Sequence, residues 1–344
     1  MDAREFEHAN AACGLLPGPA STQLAIFTAY RVGGPMGALV GGLGFIVPAV
    51  VMVIALAVLF LDSSAPLWVR GAGAGAGAAV AAVAVRSALD LVGPSRQHSR
   101  GHRPRELRWF AYLLFAGAAA ATIGPYLVLI LLACGISELL FRRRAAIGAA
   151  VFDPTMFVLL AGAAAATGGL GALAWVAFKV GALSYGGGFV IIPLMQDSAV
   201  HTYHWMTDAQ FLNAVALGQI TPGPITGTVA AVGYAAHGVG GAILAAVVAF
   251  SPSFSFVLLG GDRFERLRQN DHASAFLDGA GPAAIGAIFG ASIPLALALQ
   301  ETWQLGVLAG AAVAMLVLRL GIVPSLLAAG AAGTVIALAG APVQ

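Results

Sequence analysis

The stretch LGQITPGPITGTVAAVGY, Leu217 to Tyr234, lies inside a long apolar segment and carries two prolines around a glycine. Proline removes a backbone donor and clashes with the preceding helical turn. A glycine between two prolines cannot hold a helix across the gap, so the chain is expected to unwind at Pro222, Gly223 and Pro224 and then restart. A restarted helix presents unsatisfied N–H groups in its first turn, at the positive end of its dipole. Such a break is tolerated in hydrocarbon only where it lines a polar cavity. Near its start the chain says the same thing again: CGLLPGPASTQLAIFTAY, Cys13 to Tyr30, breaks at Pro17, Gly18 and Pro19.

Everything around these breaks belongs to a membrane. Of 344 residues, 59% are hydrophobic and 9% charged, with a mean hydropathy of +0.89; soluble domains carry about 25% charged residues. Apolar runs such as 39–61, 110–141 and 273–299 are continuous rather than alternating, which implies helices and not a barrel. At about 20 apolar residues per crossing, there is material for roughly ten spans. The 45 glycines, with abundant alanine, favour close helix packing, because lipid offers no hydrophobic drive to association. The expected fold is an all-α, polytopic membrane helical bundle. The net charge of +2 does not point to nucleic acid, since the arginines fall in loops between spans. Cys13 and Cys134 have no metal or redox spacing. No HExxH, GxSxG or P-loop occurs, so neither an enzyme, nor a cofactor, nor an ATP-driven pump is expected.

The two breaks lie 205 positions apart. The same offset pairs Phe6 with Phe211, Gly33 with Gly238, Leu39 with Leu244 and Phe45 with Phe250, while Pro48 falls one place off Pro252. It also relates the glycine-alanine runs 71–83 and 277–288. An internal duplication follows, with repeats over 1–144 and 145–344. Arginines orient the copies, because short cytoplasmic loops are enriched in basic residues. The loop after the first glycine-alanine helix holds Arg96, Arg100, Arg103, Arg105 and Arg108, whereas 299–304 holds none. Before that helix the order reverses: 61–70 has only Arg70, and 262–271 has Arg263, Arg266 and Arg268. The halves are expected to be inverted, with 93–108 and 262–271 on the cytoplasmic side and 61–68 and 299–304 opposite. Inverted repeats with matched broken helices point to a secondary transporter whose site lies between the halves. Arg142, Arg143 and Arg144 mark the linker. Residues 109–140 are expected to divide at 122–126, and 155–195 near Thr167-Gly168-Gly169.

Hydroxyls follow each break: Ser21 and Thr22 in one copy, Thr226 and Thr228 in the other. They are ordinary helix caps on one reading; on the other they help two facing helix N-termini cradle a tetrahedral oxyanion. Lys179 is the single lysine and lies inside an apolar span, which makes it a functional candidate or an interfacial anchor. Tyr185-Gly186-Gly187-Gly188 follows it, suited to an unwound site or to close packing. Asp197, His201 and His204 are read as solvated loop residues rather than a metal site.

LPGPASTQLAIF with GGLGFIVP (41–48), and FKVGALSYGGGFVIIPL (178–194) followed by ALGQITPGPITGTVAAVGY, closely resemble the chromate ion transporter family over nearly the whole chain. The resemblance implies a multi-pass inner-membrane protein of two homologous, oppositely oriented halves that exports chromate, with a homodimer as a candidate assembly. Carried over by position, the motif residues are Pro17, Gly18, Pro19, Ser21, Thr22 and Gln23, then Lys179, Gly186, Gly187, Gly188, Pro193, Gln219, Pro222, Gly223, Pro224 and Thr226. The family pattern also places a helix and a Phe-Gly-Gly-Pro-type motif before the first break. In this chain its place falls upstream of Met1, so the first repeat is expected to lack its opening helix. The alternatives are a carrier of sulfate or another oxyanion, and a truncated, non-transporting membrane protein.

Overall fold

A computed structural model describes Cys13 and residues 18–62, 65–97, 103–122, 127–142, 169–184, 188–260 and 271–343. Twelve α-helices and three short π or 3-10 turns (Asp197–Thr202, Ile225–Gly227 and Val313–Val317) run through these residues, with no strand among them: α1 (Ala20–Phe60), α2 (Leu67–Ala78), α3 (Val80–Gln97), α4 (Arg103–Thr122), α5 (Leu127–Arg142), α6 (Gly169–Leu183), α7 (Ile191–Gln196), α8 (Asp208–Ile220), α9 (Thr228–Gly260), α10 (Asp271–Leu297), α11 (Thr302–Ala312) and α12 (Ile322–Leu338). Four stretches are long and apolar enough to cross a membrane: Ala20–Phe60, Leu67–Gln97, Ile225–Leu259 and Ser274–Leu297. Large apolar side chains such as Leu259, Leu297 and Leu114 stand on the outer surface. That is where lipid, and not water, must be the solvent. The protein is an all-α, multi-pass membrane bundle. The long apolar run 109–140 divides as its sequence suggests, into α4 and α5; the turn at 123–126, the linker from 143 to 168 and the basic loop 261–270 lie outside the described residues.

The 41-residue α1 is not one rod. Gly33 (φ −130°, ψ 19°) and Gly34 (φ 60°, ψ −152°) leave the helical region, and Pro35 follows. A Cβ placed on Gly37 would fall 2.3 Å from the Ala29 carbonyl oxygen. Eight residues apart on a straight helix, the two would be about 12 Å apart. The chain has doubled back into a helical hairpin with arms 20–32 and 35–60. Helix α9 does the same at His237 (φ −147°, ψ 32°) and Gly238 (φ 61°, ψ −155°), where Gly233 and Gly241 touch backbone to backbone. These dihedrals pair Gly34, and not Gly33, with Gly238. The constant offset of 205 therefore slips to 204 between the breaks and the bends, which also brings Pro48 level with Pro252. The reason is local winding. After Pro224 the chain makes a 3-10 turn, Ile225–Gly227, where the first copy enters α-helix directly at Ala20. Three residues of 3-10 helix rise about as far as four of α-helix.

The glycine-alanine helices are exchanged between the halves. Helix α2 lies along α12, while α10 lies along α4 and α5 and also meets α3. A Cβ on Gly75 would sit 2.2 Å from the Ala329 carbonyl oxygen, and one on Gly286 would sit 1.9 Å from that of Leu113. Only bare backbone fits at such distances. The ends of the bundle are tied by polar contacts. At one end, Arg108 Nε and Nη2 donate to buried Glu138 at 2.7 and 2.9 Å, Arg142 joins Glu138 to Asp278, and Trp109 Nε1 donates to Ser95 Oγ at 3.0 Å. At the other end Arg70 reaches the Val343 carbonyl and Trp303 the Pro342 carbonyl. Gln304 Nε2 donates to the Ala74 carbonyl there, at 3.3 Å. Ser95, Arg108 and Asp278 near the start of α10 thus share one end, and the start of α2 and residues 303 and 304 share the other.

Candidate functional site

Each break is built by the residues that announce it. Gly18 has φ +123° and Gly223 φ +146°, a region that favours glycine, and each is followed by a proline in extended conformation that opens a helix. Neither Pro19 nor Pro224 is accompanied by a side-chain cap. In α1 the first ladder bond runs from Gln23 N–H to the Pro19 carbonyl, so the N–H groups of residues 20–22 precede the ladder. The breaks lie inside the bundle depth: α8 and the first arm of α1 are each about 20 Å long at 1.5 Å per residue, short of a 30 Å hydrocarbon core.

The two breaks then lean on each other's hairpin. Helices α1 and α9 pack together. A Cβ on Gly223 would lie 2.4 Å from Ala49 Cβ, and one on Gly18 would lie 3.3 Å from Ser253 Oγ and 2.5 Å from Gln23 Nε2. Ala49 follows Pro48 and Ser253 follows Pro252, so each break sits against the residue after the internal proline of the other helix.

The hydroxyls do not cap. Thr226 Oγ1 is 3.1 Å from Ser184 Oγ, just past the end of α6, and Thr228 Oγ1 donates to the Ile225 carbonyl at 2.8 Å. Thr22 Oγ1, Gln219 Nε2 and Ser253 Oγ are buried and have no hydrogen-bond partner among the described residues. Ser21 is exposed, on the rim of an open cleft of about 690 Å³ between the arms of α1, lined by Leu24, Val32, Val40 and Phe45 among others. In α9 the corresponding cleft is filled by α6: Gly181 lies against the Ala249 backbone, Ser184 reaches Thr226, and Gly188 (φ +89°) stands beside Ile225. Ser184 and Gly188 thus both lie against the second break. Gly186 and Gly187, like Pro17, lie outside the described residues.

The family model for chromate transporters matches residues 1–139 and 171–335. The chain belongs to the chromate transporter family. It is similar to a chromate transport protein of Cupriavidus metallidurans, 32% identical over 306 residues that cover 85% of this chain and 73% of that one. It is also similar to a probable chromate transport protein of Synechococcus elongatus, 28% identical over 88% of this chain and 80% of the relative. An uncharacterized transporter of Bacillus subtilis, YwrA, is 38% identical over 94 residues, which are 27% of this chain and 53% of that protein. No solved structure matches the chain. The protein is a membrane transporter and not an enzyme.

In this transporter the motif residues do not form one cluster. Gly18, Thr22 and Gln23 gather at the first break, and Gly188 and Thr226 at the second. Pro193 is buried in α7. Lys179 is half-buried on α6, its ammonium 5.8 Å from the centre of the Trp175 ring one turn back, with Asp197 as the carboxylate acting on it. His201 and His204 are exposed, and no group of metal ligands forms among the described residues. Sequence reading passed over Ser253. Its one signal is a serine directly after the internal proline, where the other copy has alanine, and only the fold brings it to Gly18.

Proposed function

We propose that the chain is a secondary transporter that exports chromate across the inner membrane, built from two inverted repeats, 1–144 and 145–344, with the two Pro-Gly-Pro breaks lining its site. The observation that carries this is the reciprocal seating of Gly18 on Ser253 and Gly223 on Ala49. Such reciprocity is what an approximate two-fold between the halves would produce, and it supports a site where the two helix starts meet. The shared end of Ser95 and Arg108 with the start of α10, and the exchange of the glycine-alanine helices, support the inversion. A helix start attracts a tetrahedral dianion through its dipole and N–H groups, and chromate is such an ion. So is sulfate, which the same donors would bind. With no P-loop in the sequence, the driving force is the membrane potential or a proton gradient.

The test is accumulation of labelled chromate in everted inner-membrane vesicles carrying the full chain, with an uncoupler as control. Uptake that the uncoupler abolishes is expected. Uptake of sulfate without chromate would reassign the substrate, and movement of neither ion would end the transport reading.

A further inference from the structure

We propose that the oxyanion is held at the first break and not the second, with Ser253, contributed by the opposite half, as one of its ligands. This rests on the oxyanion reading above and narrows it to particular atoms.

The two breaks match in backbone and differ in how their polar groups are satisfied. At the second, Thr226 is bonded to Ser184 and Thr228 to the Ile225 carbonyl, while Gly223 faces only the methyl of Ala49. Each of those threonine hydroxyls therefore has a partner, and the buried donor without one near that break is the Gln219 amide, which precedes it on α8. At the first, Thr22 Oγ1 sits on the opening turn of α1 with no partner among the described residues, and the residue is wholly buried. Ser253, also wholly buried, aims an unpartnered Oγ at Gly18, immediately before the helix start. A buried hydroxyl without a partner carries its full desolvation cost, and two at one helix start mark a place built for something polar that comes and goes.

The donors available form one set. The N–H groups of Ser21 and Thr22 precede the helical ladder, the Thr22 hydroxyl lies on the same turn, and the Ser253 hydroxyl comes from α9. Gln23 folds its carboxamide across Gly18, where the missing Cβ would be 2.5 Å from Nε2. In this proposal its amide lies where the anion would bind and turns aside as the anion enters. All these donors are neutral. The helix dipole and hydrogen bonds stabilise the dianion without a fixed counter-charge, which leaves it free to depart. Because Ser253 comes from one half and Thr22 from the other, movement between the halves opens and closes the site.

The test is equilibrium binding of labelled chromate and sulfate to the purified full chain, with Ser253→Ala, Thr22→Val and Thr226→Val, and a melting curve for each. Alanine at 253 fits, since the other repeat already carries Ala49 in that place. Ser253→Ala and Thr22→Val are each expected to weaken binding about tenfold, as expected for a lost hydrogen bond to a charged ligand, with melting unchanged or raised. Thr226→Val is expected to bind like the parent. Wild-type affinity in both first-break variants, or a loss confined to Thr226→Val, would overturn the assignment. Binding with this pattern in a chain that moves no ion across vesicles would uphold the site and reject export. Absence of any binding by the parent chain rejects both.

Discussion

Gly18 shows how much one residue can be asked to do. Its φ of +123° excludes side chains on conformational grounds, and its bare α-carbon lets Gln23 and Ser253 approach from two directions. Lys179 is the opposite case, a charge placed where charge is costly. Its position over Trp175 and near Asp197 keeps it half-buried on the helix that packs against the second break. Lys179→Met is expected to abolish oxyanion uptake in vesicles without changing membrane abundance. Lys179→Arg should recover only part, because a planar fork does not replace a compact ammonium. Full uptake by the methionine variant would make the lysine an interfacial anchor. At this scale the sequence was readable wherever a residue type carries its own backbone consequence: Pro19 and Pro224 open helices as anticipated. Ser253 was not readable, because its meaning depends on a contact across 235 positions, and no local pattern records which serine a fold will aim at a glycine.

At the scale of elements, the long apolar segments hid a reversal. Gly33-Gly34 looks like an ordinary small-residue pair in a membrane helix, and Gly238 after His237 looks like one more glycine where glycine is common. Whether such a pair merely bends a helix or folds it back is decided by what the arms then touch. The helix contacts make a sharper prediction. A side chain on Gly286 must displace the Leu113 backbone, whereas Gly93 on α3 and Gly306 on α11 have nothing within 4 Å. Gly286→Val should lower the melting temperature in detergent, by the equivalent of about 1–3 kcal/mol for overpacking. Gly93→Ala and Gly306→Ala should be neutral or gain up to about 1 kcal/mol from helix propensity. Equal melting temperatures in all three variants would mean that the backbone contact of α10 with α4 is not a constraint on stability.

Across the whole molecule, the arginine pattern assigns loops to sides of the membrane, because charge is placed by the membrane before packing begins, while its second basic loop, 261–270, lies outside the described residues. It could not foretell which helix clasps which. Labelling of single cysteines placed at 66 and 303 is expected from one side of the membrane, and at 97 and 105 from the other. Opposite labelling of 66 and 303 would dismantle the inverted arrangement.

The clasp of α2 by α12 has a consequence for how the chain is made. Leu67–Gln97 is the least apolar of the four long stretches, with a hydropathy of 1.5 against 2.9 for the helix before it. Its glycine-lined face finds its partner only when the last helix leaves the ribosome. About 260 residues of synthesis separate the two, roughly 13 to 50 s at ordinary elongation rates. Through that interval a weakly hydrophobic helix waits in the membrane with its closest-fitting neighbour still unmade. A nascent chain stalled before α12 should therefore be the form that membrane quality-control proteases find first. Supplying α12 as a separate peptide should protect it.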